Sequence, residues 1–116
     1  MKPSGLHRRF GFALAGVREA FAREPSFKIQ LLAAVGAIAI AVALRAPPLW
    51  LALVAVMIGL VLAAELFNTA LEHALDGLHP QQAQFVRIAK DCAAAAVLVL
   101  SVASVVVFAL MLWELL

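Results

Sequence analysis

Apolar residues run along this chain in two different rhythms. Leu6, Phe10, Leu14, Val17 and Phe21 recur every three or four positions, while Arg8, Arg9, Glu19 and Arg23 fall between them. At about 100° per residue the five apolar side chains share one stripe roughly 80° wide. This is the pattern of a helix lying on a membrane surface, with arginines near anionic head groups. Beyond Lys28 the alternation gives way to continuous apolar runs. Sixteen uncharged residues span Ile29 to Leu44, nineteen span Ala46 to Ala64, and twenty-two span Cys92 to Trp113. A transmembrane helix needs about 20 such residues. The first run covers roughly 24 Å, and Lys28 and Arg45 make up the shortfall by snorkelling outward. Pro47 and Pro48 suit a tight turn and the first turn of a helix, where a missing N–H does little harm.

The expected fold is therefore an all-α membrane protein with an N-terminal amphipathic surface helix and three transmembrane helices. The whole chain, 1–116, reads as one membrane domain. The surface helix occupies 1–28 and the first span 29–45. The second span, with a cytoplasmic extension, covers 48–76, a cytoplasmic loop and helix start cover 77–91, and the third span covers 92–114.

Composition narrows the class further. Of 116 residues, 66% are hydrophobic and only 14% charged, which excludes a water-soluble globule and a disordered chain. Cys92 is the single cysteine, so no disulfide framework exists. The net charge is +2, but the basic residues are scattered and no nucleic-acid motif accompanies them, so no nucleic acid is expected as a partner. Those basic residues are better read against the membrane. Lys2, Arg8, Arg9, Arg18, Arg23 and Lys28 precede the first span, and Arg87 and Lys90 precede the third, whereas the opposite side carries only Arg45 and Glu114. The positive-inside bias then puts the N-terminus in the cytoplasm and the C-terminus on the other side, with Trp50 and Trp113 at the outer interface. Arg8-Arg9-Phe10 followed by Ala20-Phe21-Ala22 loosely resembles a twin-arginine signal. Its apolar core is short, however, and Arg18-Glu19 interrupt it.

Chemistry concentrates on the second span. Between Pro47 and Val86 the only charged residues are Glu65, Glu72 and Asp76. With Asn68 they follow i, i+3, i+7, i+11, which places four polar side chains within roughly 80° on one helix face. An ionisable residue within lipid costs about 2.5 to 3.5 kcal/mol on insertion scales, so this face must meet protein, water or a functional pathway. If Trp50 marks the outer interface, Glu65 lies about 22 Å inward, within the inner leaflet. Glu72 is then about 33 Å inward, at head-group level, and Asp76 about 39 Å, in water. A carboxylate in the leaflet reaches a lipid hydroxyl, and one at the aqueous edge can hold a hydrated Mg²⁺ that carries a nucleotide. This arrangement suits phosphoryl transfer to a lipid alcohol. A non-enzymatic polar seam between helices, or an ion path, is the alternative from another class; against a path stands the absence of any ionisable residue from Pro47 to Ala64.

Lys90 and Asp91 open the third span side by side, a cation to bind phosphate and an acid to fix its position or support the site; a solvated, snorkelling helix start is the plain alternative. Neither G-x-x-x-x-G-K-[ST] nor G-x-G-x-x-G occurs, so an ATP site would be unconventional. His7, His73 and His79 lack zinc-ligand spacing.

The run Ala64-Glu65-Leu66-Phe67-Asn68-Thr69-Ala70-Leu71-Glu72-His73-Ala74-Leu75-Asp76, followed by Lys90-Asp91 and Ala93 to Leu98, closely resembles the prokaryotic diacylglycerol kinase family. The upstream part with Gly16, Arg18, Glu24 and Phe27 resembles it too, so the likeness covers nearly the whole chain. It implies a small kinase of the inner membrane, assembled as a homotrimer, using ATP with Mg²⁺ as cofactor. By position Glu65 matches the family's catalytic base, and Glu24 and Glu72 its metal-binding acids. Asn68, Asp76, Lys90 and Asp91 match the nucleotide and active-site surround, with Phe12 standing where some relatives have a tyrosine. Arg18, Phe27 and Ala94 match the lipid-binding part. Gln30 replaces an acid found in some relatives, and Gln81 to Gln84 lack their acidic or aromatic side chains. The expected lipid is diacylglycerol, converted to phosphatidic acid, with undecaprenol as the alternative within the same family.

Overall fold

The computed structural model describes residues 5–116. Residues 1–4 lie outside it, and with them Lys2 and the start of the expected surface helix. The described residues form four helices: α1 over Gly5–Arg23, α2 over Pro25–Ala43, α3 over Pro48–Leu78 and α4 over Gln84–Leu115. No strand occurs among them. The expected class, an all-α membrane protein with one amphipathic helix and three apolar ones, is the class observed.

Each break has a local cause. Glu24 precedes a proline, which disfavours the helical region, and it takes φ −112° and ψ 105°. Its N–H still bonds to Ala20 O at 2.8 Å, and its own C=O accepts from Phe27 N–H at 3.1 Å. The chain thus turns at one residue with its backbone polar groups satisfied. At the other end of α2, Ala46 N–H bonds to Ala41 O and Arg45 N–H to Val42 O, both at 3.0 Å. These are the two bonds of a Schellman closure, with Arg45 in the left-handed position at φ 55° that glycine normally fills. Pro48 then supplies the first turn of α3.

Lengths decide where polar residues emerge. The 19 residues of α2 cover about 28 Å, close to one hydrocarbon thickness. The 31 residues of α3 cover about 46 Å and the 32 of α4 about 48 Å. Since α2 and α3 share a short turn near Trp50, the excess length of α3 projects at the Asp76 end.

The long helix α3 packs mainly against α4 and then α2, while α1 rests on both α2 and α3. Ala41, Ala46, Val54 and Met111 form the buried core, at the Trp50 end, flanked by Trp50, Ile58 and Phe108. There Trp50 Nε1 donates to the Glu114 carboxylate, and Trp113 is 86% exposed. Most apolar side chains of the three long helices face outward, including Leu32, Val35, Leu49, Leu98 and Val99. So large an apolar surface belongs in lipid, and the chain is an integral membrane protein. The body measures 51 × 40 × 21 Å. Helix α1, 19 residues and about 28 Å long, rests on this group through α2 and α3. Its apolar stripe, Leu6, Phe10, Leu14, Val17 and Phe21, is exposed along its whole length.

Candidate active site

Polar side chains gather where α1, α2 and the inner half of α3 meet. Glu65 is only 3% exposed, so the helix turns this carboxylate into protein and away from open lipid. Ser26 Oγ donates to Glu65 Oε2 at 3.1 Å. One turn on, Thr69 Oγ1 donates to the Glu65 backbone carbonyl at 3.0 Å. Ser26 is the second residue of α2, so Glu65 lies level with that helix's N-terminus, where unpaired N–H groups and the helix dipole favour negative charge.

Exposure then rises along the α3 face. Asn68 and Glu72 are half-buried, linked by Asn68 Nδ2 donating to Glu72 Oε1 at 3.4 Å, and the Asp76 side chain is 66% exposed. Glu24 and Asp76 lie near enough to Glu72 to repel its carboxylate, while Lys90 and His73 attract it. Glu24 reaches this neighbourhood because the chain turns there between α1 and α2. Within one chain, therefore, the fold brings Glu24 and Glu72 into electrostatic range of each other. Among the described residues Asn68 Oδ1 is buried without a hydrogen-bond partner, an acceptor on the same face of α3 as Glu65 and Glu72.

Lys90 Nζ bonds to Asp76 Oδ1 at 2.7 Å, joining the end of α3 to the start of α4. Asp91 is engaged differently from the expectation that it fixes Lys90: it accepts from Arg87 at 3.4 Å. The reason is helical geometry, since adjacent residues point about 100° apart whereas Arg87 and Asp91 are four apart on one face. A polar cleft of about 220 Å³ lies beside these pairs, lined by Asp76, His79, Gln81, Gln82, Arg87, Lys90 and Asp91 among others. His79 shapes its rim, with Nδ1 against Gln81 O at 3.1 Å and its ring edge-on to Phe85 at 4.9 Å.

The remaining expected residues are dispersed. Phe12 and Arg18 lie on the open surface of α1, and Ala94 is exposed one turn beyond Lys90 on α4. Phe27, the third residue of α2, is 2% exposed, so its ring is buried within the protein near the α1–α2 junction. Gln30 turns to α4, donating to Ser101 Oγ at 3.2 Å. A larger apolar cleft of about 360 Å³ runs from Gln30 toward Phe108, on the far side of Glu65 from the water-facing acids. Sequence reading missed Ser26 and Thr69. Thr69 carried a signal, four residues after Glu65 on the same helix, whereas Ser26 carried none, being 39 positions away.

The donor set matches a small hard cation. Among the described residues no three His, Cys, Asp or Glu side chains gather into a cage. Mg²⁺ does not require one, because it keeps waters and phosphate oxygens and takes one or two carboxylates from the protein. Glu24, Glu72 and the unpaired Asn68 Oδ1 are oxygen donors of that kind.

Residues 11–112 match the sequence profile of the family described as prokaryotic diacylglycerol kinase. A diacylglycerol kinase from Synechocystis sp. is 40% identical over 99 residues, which cover 84% of this chain and 57% of that protein. This chain thus spans little more than half the length of that relative. Diacylglycerol kinases from Escherichia coli K12 and Shigella flexneri are each 28% identical over 104 residues, covering 90% of this chain and 85% of theirs.

Proposed function

This chain belongs to the prokaryotic diacylglycerol kinase family, and on that premise we propose that it transfers the γ-phosphoryl group of ATP to the hydroxyl of a membrane lipid, diacylglycerol, giving phosphatidic acid and ADP. The observation that carries this reading is the position of Glu65: a carboxylate enclosed by protein, level with a helix N-terminus, on a face that leads to a polar cleft.

In the proposed reaction the lipid hydroxyl oxygen attacks the γ-phosphorus in line as the bond to the β–γ bridging oxygen breaks. The hydroxyl proton passes to Glu65 and is later released to water, and ADP leaves. Glu65 and Glu72 are two helical turns apart, about 10 Å along the axis. Glu24 and Glu72, with Asn68, would hold Mg²⁺, which when bound would offset phosphate charge. Lys90, held by Asp76, presents its ammonium to the phosphates. Little covalent chemistry falls to the protein; its main contribution is to place a greasy alcohol beside a soluble nucleotide. The cluster of basic residues around α1 and the start of α4 supports an inner-membrane orientation with this site in the cytoplasm. The wide apolar flanks fit a homotrimer as well as lipid.

The test is transfer of labelled phosphate by the purified protein in mixed micelles, with diacylglycerol or a polyprenol as acceptor. Lipid-dependent ATP consumption with diacylglycerol, lost in Glu65→Gln with the fold retained, is the expected result. Transfer to polyprenol alone would reassign the acceptor. No transfer to either would favour a non-enzymatic seam, and wild-type-like transfer by Glu65→Gln would remove its assigned role.

A further inference from the structure

We infer that Ser26 is a positioning residue that aims the Glu65 carboxylate, an inference that rests on the reading of Glu65 as the proton acceptor. Glu65 reaches its carboxylate through three rotatable bonds, and burial alone does not choose among their rotamers. The Ser26 hydroxyl, donating to Oε2 at 3.1 Å, does. No other side chain among the described residues hydrogen-bonds either carboxylate oxygen, so Oε1 remains to accept a proton from substrate.

The location of Ser26 matters as much as the bond. It is the second residue of α2, two positions beyond Glu24, on the short segment where the chain turns out of α1. Its backbone is held there by the proline at the helix start and by Phe27, whose ring is buried near the junction. A donor on a rigid helix start bonded to an acceptor on a different helix fixes direction better than a donor on the same helix, which moves with the acceptor. The bond also joins α2 to α3, so a plain structural staple is the competing role.

Steady-state kinetics separate the two. Ser26→Ala is expected to lower kcat about tenfold, with KM for MgATP and for lipid changed less than about twofold. Ser26→Thr, which keeps the hydroxyl, is expected to recover most of the loss. Ser26→Cys, of similar shape with a weaker donor, should fall between them and serves if the alanine variant does not fold. Helix content and thermal midpoint are followed alongside. A kcat for Ser26→Ala within about twofold of wild type, with Glu65→Gln inactive, overturns this inference and leaves the reading of Glu65 standing. A loss that appears equally in KM, or that threonine does not recover, makes the bond a staple and overturns it too. Activity in Glu65→Gln would remove the reading of Glu65 itself.

Discussion

The two halves of α3 are held by different physics. At the Trp50 end, Val54 packs with Ala41, Ala46 and Met111 in a small apolar core. At the Asp76 end the same helix is held to its neighbours by directional contacts, Ser26 to Glu65 and Lys90 to Asp76, while Asn68 bonds to Glu72 one turn along its own face. Where tails are as apolar as the side chains, the first half gains from close packing of small residues; in the second, the Ser26–Glu65 bond has few competitors, whereas the Lys90–Asp76 pair competes with water. Packing tolerates modest change at a cost in stability alone. Directional contacts place individual atoms, so damage there should appear in turnover first.

That division can be tested from its strongest consequence downward. Glu65→Gln keeps the shape of the directional half and removes its proton acceptor; turnover should fall by at least about 1,000-fold with the thermal midpoint little changed. Met111→Ala does the reverse. Emptying a fully buried site should cost about 2 kcal/mol of stability, read as a lower midpoint in detergent, with KM for both substrates unchanged. Glu72→Gln should raise the Mg²⁺ concentration for half-maximal activity about tenfold, measured by titrating the metal at saturating ATP. Arg45→Gly relieves a left-handed non-glycine residue at the turn beside the packed half, and should raise stability by about 1 kcal/mol with activity unaltered. A large kinetic effect of Met111→Ala would dissolve the distinction between the halves.

What was legible in the sequence follows the same line. The helix start at Pro48 was readable because proline removes a donor and constrains the residue before it, whereas α2 starts at Pro25, four residues before the expected start of the first span at 29. The polar face of α3 was readable because Glu65, Asn68, Glu72 and Asp76 lie on one helix with a fixed period. Partners on other helices were not. Ser26 with Glu65 and Gln30 with Ser101 depend on how α2 is rotated and docked, which no local period encodes. Lys90 and Asp91 illustrate the opposite error, in which adjacency suggested a pair although the helix sends the two side chains to Asp76 and Arg87.

The single-residue joint at Glu24 has a mechanical side. Helix α1 is an arm about 28 Å long with an exposed apolar stripe suited to a head-group layer, and the joint at its end carries a carboxylate. A change in the tilt of that arm would move Glu24 relative to Glu72 while leaving the packed half of α3 in place. The surface that supports the stripe, bilayer or micelle, would then bear on the spacing of the two acids.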